Sequence, residues 1–393
     1  MAADPFQDVL DELERNVERG TYRGVVAVVE LGGQRVLETA IGDRDAEAGE
    51  PMELDAIFRI YSMTKPVTAV AALILVEEGV LALDAPVSSI LPELAGLEVG
   101  VEVEDPETGE TELQRVPAER EMTVLDLFRH TSGLTYGVFD DSLVDQLVLE
   151  AGVFDPRNTS EDLVEKLGEL PLKRQPGTMF EYSLASDVLG CVVEKLSGQP
   201  LGEFMQERIF GPLGMVDTGF HVPREKLGRV SVAYQREAGE LVPAPPTEAL
   251  PAGVRPRMHS GGGGLFSTAD DFLRFSRMLA GGGALGDARI LQEATVARMT
   301  TDQLDGLPAP MLVFMGAGFG LGLAVTKVRL RGGSNPGSFY WGGYAGTAFW
   351  VDPETDAIGV FMIQNMGEIT HADAFERGVY SALEDLGAKV LDR

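Results

Sequence analysis

Phe58-Arg59-Ile60-Tyr61-Ser62-Met63-Thr64-Lys65-Pro66, followed by the apolar run from Val67 to Val76, is the stretch from which the rest of the chain can be read. The run, closed by Gly79, predicts a buried helix, and Pro66 fits its first turn, where the missing N–H has no helical partner to lose. On that helix Ser62 and Lys65 stand one turn apart on one face, so a hydroxyl and an amine point the same way. A serine hydroxyl is a poor nucleophile at neutral pH, and a neighbouring lysine helps only where burial or other cations favour a neutral amine. By itself, S-x-x-K is expected on the order of once by chance in a chain of this length. The competing reading makes Ser62 a helix cap and Lys65 a surface lysine, and other parts of the chain must decide.

The chain has 393 residues, 44% of them hydrophobic, with 47 glycines, enough for one large domain or two closely packed ones. Its 62 acidic and 32 basic residues give a formal charge of -30 and a pI near 4.4. Such a surface repels phosphate backbones and anionic lipid, which excludes nucleic-acid and membrane-surface partners. It suits a salt-adapted protein and an ordinary acidic cytosolic enzyme alike. The single cysteine, Cys191, has no internal disulfide partner and lies in an apolar run, where it reads as core. The first residues lack the basic start and apolar stretch of a secretory signal, and no apolar run is long enough to span a bilayer. The expectation is a cytoplasmic protein.

Phe6, Val9, Leu10, Leu13 and Val17 recur at helical spacing and predict an amphipathic helix over about 5–19. Gly24–Leu31 and Arg35–Ile41 flank Gly32-Gly33-Gln34 as a β-hairpin. Residues 84–120, rich in Pro, Gly and acids, read as an exposed excursion with a small hairpin. Thr123 is an N-cap candidate for a short helix ending at His130, and a further helix is expected at Ser160–Leu167. After the turn Gln175–Thr178, buried helices are expected at Ala185–Leu196 and Leu201–Phe210, then a strand pair within Arg229–Val242. Gly261–Gly264 lacks both G-K-[ST] and G-x-G-x-x-G, so it reads as close backbone packing rather than a phosphate cradle. Helices at Thr268–Ala280 and around Leu291–Met299 precede three strand-like runs: Gly318–Val328, Tyr340–Val351 and Ala357–Asn365. The last two are joined by a turn at Asp352–Asp356. A C-terminal amphipathic helix is expected at Ala372–Leu386.

Strands at both ends with helices between them imply an α/β (α+β) fold whose termini return to one antiparallel sheet flanked by helices, beside a mostly helical second part. The expected division places 1–85, 176–285 and 318–393 in an α/β domain, and 86–175 with 286–317 in a smaller helical domain. The groove between them is the expected site.

Metal hydrolysis is excluded because His130, His221, His259 and His371 are scattered, H-E-x-x-H is absent and Cys191 has no partner. No cofactor is called for. There is no G-x-S-x-G for an α/β-type hydrolase, and His130 beside Ser132 is a structural histidine on this reading, since sequence neighbours seldom align as nucleophile and base.

Four motifs, in order and spacing, resemble the serine β-lactamase and penicillin-binding superfamily: Ser62-Met63-Thr64-Lys65, Arg129-His130-Thr131-Ser132-Gly133-Leu134, Tyr182-Ser183, and Trp341-Gly342-Gly343. More narrowly, the segment EYSLASDVLGCVVEKLSG and the WGG triplet are similar to the family VIII carboxylesterases, themselves related to class C β-lactamases. The resemblance spans most of the chain and implies the β-lactamase-like fold.

It further implies Ser62 as nucleophile, Lys65 as its proton acceptor and Tyr182 as partner in proton relay. Which of the last two takes the serine proton stays open. The implied oxyanion hole is the backbone N–H of Ser62 and of Tyr344, and the implied substrate-binding residues are Trp341, Gly342, Gly343 and Leu184. Two of these depart from the lactamase pattern: Leu184 replaces the asparagine of Y-x-N, and Trp341 replaces the lysine of K-T-G. A neutral, apolar wall in place of a cation points away from anionic β-lactams, towards uncharged or hydrophobic esters. The expected function is hydrolysis of short-chain or aryl carboxylic esters through an acyl-enzyme on Ser62, with a small-molecule ester as partner. The alternatives are an acyltransferase, a β-lactamase or D-amino-acid peptidase, and a lactam-binding module that acylates once and stops.

Overall fold

A computed structural model describes residues 5–107, 109–245, 250–330 and 332–387. The run Gly24-Val25-Val26-Ala27-Val28-Val29-Glu30-Leu31 is apolar at nearly every position, so as a strand it needs cover on both faces. Its first seven residues are all buried. Val25, Ala27 and Val29 pack with Val9 and Leu13 of the helix Gln7–Glu18, with Phe6 at its N-cap, and with Phe375, Val379 and Leu383 of the helix His371–Asp385. Val26 and Val28 join the main core on the other side.

This strand, β1 (Gly24–Leu31), sits in an eight-stranded sheet with β2 (Gln34–Asp45), β3 (Glu50–Pro51), β4 (Ala317–Phe319), β5 (Ala324–Thr326), β6 (Phe339–Gly342), β7 (Ala348–Asp352) and β8 (Ala357–Met362). The order is β4-β5-β6-β7-β8-β1-β2-β3, so the first and last strands meet inside it, with Val28 opposite Val360. Every pairing is antiparallel. Glu30, buried in this sheet, accepts from Arg277 Nε at 2.7 Å and ties the helix Ala269–Ala280 to it.

The helix after Ser62 runs Thr64–Glu77, preceded by a 3-10 turn at Tyr61–Met63. Residues Thr64 to Leu75 are all buried, as expected of a helix apolar on every side and placed centrally. Gly79, at φ +72°, ends it. Thr123 caps Val124–Phe128 in a reciprocal box with Asp126. The excursion forms the hairpin Glu98–Glu104 with Thr111–Pro117. The other helices expected from the sequence, and the strand pair expected within Arg229–Val242, fall within a few residues of expectation, and Cys191 is buried. Among the described residues no helix is long and apolar enough to cross a membrane.

Two runs expected as single strands are hairpins. Gly318–Val328 divides into β4 and β5, because a side chain at Gly320 would overlap the Met299 carbonyl and Gly322 adopts φ +87° against the serine helix. Alternation could not reveal the turn, since Leu321 and Leu323 within it are themselves buried. Tyr340–Val351 divides into β6 and β7 around 343–347, where Gly346 takes φ +84° and the Gly343 amide donates to the Thr347 carbonyl at 2.7 Å. A helix at Leu143–Glu150, capped by Ser142, had no expected counterpart.

Asp126 fixes the Arg129–Leu134 segment. Its buried carboxylate accepts from Arg120 at 2.6 and 3.0 Å, the Thr123 amide at 2.9 Å and the Thr131 hydroxyl at 2.7 Å. Burial alone would raise its pKa, but these bonds outweigh burial and hold it at about 2. A depressed carboxyl stabilises the fold above its ordinary range and loses that contribution as pH falls towards 2. Asp126→Asn should therefore cost on the order of 2 kcal/mol at pH 7. Chemical denaturation at pH 7 and near pH 3 checks this, with the difference between variant and parent shrinking at the lower pH.

Candidate active site

Ser62 lies in the 3-10 turn that enters the serine helix, after Tyr61 at φ +44°, a left-handed conformation that is strained for a side chain of this size. Lys65, one turn on, is 1% exposed. Its Nζ donates to the Ser62 Oγ at 3.1 Å and to the Gly262 carbonyl at 2.7 Å. It also lies 4.7 Å from the centre of the Tyr182 ring and 5.2 Å from that of Tyr136. The reading of Lys65 as a surface lysine fails on its burial, and that of Ser62 as a helix cap fails because its hydroxyl meets the amine.

Tyr182 arrives from the loop before the helix Ala185–Ser197, half-buried among His130, Tyr136 and Trp341. Its hydroxyl accepts from Trp341 Nε1 at 3.3 Å. Trp341 is thus nearly buried behind Tyr182, outside the lining of the adjoining cleft, as are Gly342 and Gly343. A side chain at Gly343 would overlap the Ile60 carbonyl, so the end of β6 presses directly on the chain entering Ser62. Tyr344 follows in the hairpin turn, its carbonyl held by the Gly367 amide and its ring 5.9 Å from that of Tyr61. Leu184 lines the cleft wall although only 3% exposed.

The cleft encloses about 520 Å³ and is lined mainly by apolar and aromatic groups, among them Tyr136, Phe139, Phe154, Leu184, Phe220 and Met258, with Ser62, Tyr182 and Tyr344 on its wall. A smaller hollow of about 260 Å³ between the terminal helices contains none of the motif residues. His130 is buried against Phe180, Tyr182 and Phe319. Its Nδ1 accepts from the Ser183 amide at 3.3 Å, and burial followed by the charge of Lys65 holds its pKa well below the usual histidine value. A neutral ring bonded away from Ser62 is a packing element.

Sequence reasoning missed Asp187 and Tyr136. Asp187 sits in the first turn of Ala185–Ser197. Its carboxylate accepts from the Ser260 hydroxyl at 2.6 Å and the Gly262 amide at 3.1 Å. Burial raises its pKa, and the nearby Lys65 opposes that rise. Burial also raises the pKa of Tyr136, reinforced by the charges of Asp187 and Tyr182. The available signal was a lone acid heading an apolar helix, five residues after Tyr182. The 261–264 stretch is close packing as expected, with Thr68 Oγ1 donating to the Gly261 carbonyl at 2.8 Å.

The chain matches the family model described as "Beta-lactamase" over residues 10–382. It belongs to the β-lactamase family. It is similar to the lovastatin esterase of Penicillium rubens, 34% identical over 370 residues that cover 88% of this chain and 90% of that one. Esterase EstB of Burkholderia gladioli is also 34% identical, over 84% of this chain and 82% of its own. Among solved structures it resembles EstCE1, described as a hydrolase with promiscuous acyltransferase activity, with a TM-score of 0.79 and 26% identity over 96% of this chain and 98% of that one. The β-lactamase-like fold, and the likeness to family VIII esterases, follow from these matches and from the sheet.

Asp187→Ala would leave the Ser260 hydroxyl and the Gly262 amide without their acceptor and release the loop whose carbonyl holds Lys65. The cost should be about 1–3 kcal/mol in stability. In thermal unfolding the melting point should drop.

Proposed function

We propose that this serine carboxylic ester hydrolase cleaves short-chain or aryl esters of small molecules in two acyl-transfer steps, with Ser62 as the nucleophile. The observation that carries the reading is the buried Lys65 amine, 3.1 Å from the Ser62 hydroxyl, beside an apolar cleft. Ser62 Oγ attacks the ester carbonyl carbon, and the electron pair moved onto the carbonyl oxygen is received by the amides of Ser62 and Tyr344. The Oγ proton passes to Lys65 reacting as the neutral amine, the group within hydrogen-bond reach, with Tyr182 beside it as partner in the relay. Collapse of the tetrahedral adduct breaks the C–O bond, and the leaving alkoxide takes that proton and departs as an alcohol. Water then attacks the acyl-enzyme, releasing the acid and restoring Ser62. Trp341 serves by orienting the Tyr182 hydroxyl, and Leu184 offers an apolar wall where a lactamase offers an amide.

Ser62→Ala should lower turnover of 4-nitrophenyl butyrate by about a thousandfold or more, and Lys65→Ala by a comparable factor. Near-parental activity of Ser62→Ala would overturn the assignment. A chromogenic cephalosporin run beside an ester chain-length panel should be turned over far more slowly than the best ester.

Acyl transfer to an alcohol in place of water is a second reading, favoured by the acyltransferase activity described for EstCE1 and by an apolar cleft that can hold an acceptor. Added short alcohols should then divert the acyl group to a new ester at the expense of acid. Partition unaffected by alcohol would leave hydrolysis alone.

A further inference from the structure

Arg59 stands three residues before Ser62, in the short strand Phe58–Arg59 that pairs with Phe266–Ser267. Its guanidinium lies 4.3 Å from the centre of the Phe266 ring, and one Nη donates to the Leu250 carbonyl at 2.7 Å. Arg59, Phe266 and Leu250 line the same cleft as Ser62, which places the guanidinium in the cleft wall. A guanidinium carries five N–H donors and keeps its charge throughout the working range of a protein. Among the described residues no carboxylate comes within ion-pair distance of it. Burial works against its charge, and only the Tyr61 phenol offsets that effect.

An unpaired cation in a partly dry wall is costly, and other buried cations of this chain carry carboxylate partners. Lys173 is paired with Asp145 at 2.7 Å and Glu181 at 3.2 Å, and Arg129 with Asp126 at 3.2 Å. The cleft's own carboxylates are already matched. Asp155 bonds Arg157, and Asp187 accepts from Ser260 and Gly262. Arg59 is the one cation in the described lining, and the N–H donors that do not bond Leu250 remain to take carboxylate oxygens.

We propose that Arg59 forms a carboxylate-binding subsite of the cleft, and that the preferred esters carry a free carboxylate, as do hemiesters of dicarboxylic acids and acyl esters of hydroxybenzoic acids. This rests on the esterase reading and narrows its substrate class. It departs from the expectation of uncharged esters drawn from Trp341: the cation missing from the third motif is supplied by Arg59 in the cleft wall.

Two matched pairs test the subsite. 4-Nitrophenyl butyrate against mono-(4-nitrophenyl) glutarate places the carboxylate on the acyl side, and phenyl acetate against 4-acetoxybenzoate places it on the alcohol side. In the parent protein kcat/KM for the anionic member should exceed that for the neutral one in at least one pair. Arg59→Met should lower that ratio about tenfold to a hundredfold, with Arg59→Lys in between. Neutral members preferred in both pairs, or ratios unmoved in Arg59→Met, would overturn the proposal. Should Arg59→Met fail to fold, the parent decides: glutarate or 4-hydroxybenzoate should compete with a neutral ester, and no competition by either at about 10 mM overturns it. Ser62-dependent hydrolysis with unmoved ratios sinks the subsite alone. No Ser62-dependent hydrolysis of any of the four esters sinks the esterase reading and the subsite with it.

Discussion

An amine carried into a protein core must keep its hydrogen bonds. Lys65 meets that demand with two oxygens from distant parts of the chain, the Ser62 hydroxyl and the Gly262 carbonyl. The second bond requires the 261–264 loop to turn a carbonyl inward. Asp187 holds the loop that way through the Gly262 amide and the Ser260 hydroxyl, and the glycines allow it, since a side chain at Gly261 would crowd the Ser186 carbonyl and Thr68. The serine helix, the Ala185–Ser197 helix and the loop are therefore fixed to one another through a single nitrogen. Loss of the loop would leave that nitrogen in a dry site with the Ser62 hydroxyl as its one remaining acceptor.

The sheet supplies the other half of the site. The hairpin of β6 and β7 presents Trp341 to the Tyr182 hydroxyl from behind and Tyr344 to the cleft from in front. Its position is set by backbone contact, because Gly343 lies against the Ile60 carbonyl and Thr347 Oγ1 donates to that same oxygen at 3.3 Å. A chain that returns its last strands to its first, through β8 beside β1, can bring residue 344 next to residue 62 without a long connection.

The element types were legible because apolar periodicity and caps act locally: Thr123 caps its helix as its spacing implied. Division of the last two long runs into hairpins was not, because buried leucines in the first turn imitate strand residues and the second turn depends on a glycine pressed against Ile60. The serine motif was readable as a motif, but its geometry was not. Burial of Lys65, the role of Trp341 behind Tyr182, and the tie from Asp187 to Gly262 all depend on contacts between residues tens to hundreds apart. Asp187 shows the difficulty well. Heading an apolar helix, it looks like a favourable acid at a helix start, and only the fold reveals that it faces inward.

The charge of -30 on this chain bears on how an anionic ester would be selected. A field of that sign repels anions on approach, yet at physiological ionic strength it decays within about 8 Å. Salt therefore acts on the two parts of the encounter in opposite directions. It relieves the long-range repulsion that slows association, and it weakens an exposed ion pair once formed. A guanidinium set in the wall, with Phe266 on one face, is shielded from salt more than a surface cation would be. Discrimination for a carboxylate in such a protein has to be local, in a place where the solvent screens poorly, and the cleft wall beside Ser62 is such a place.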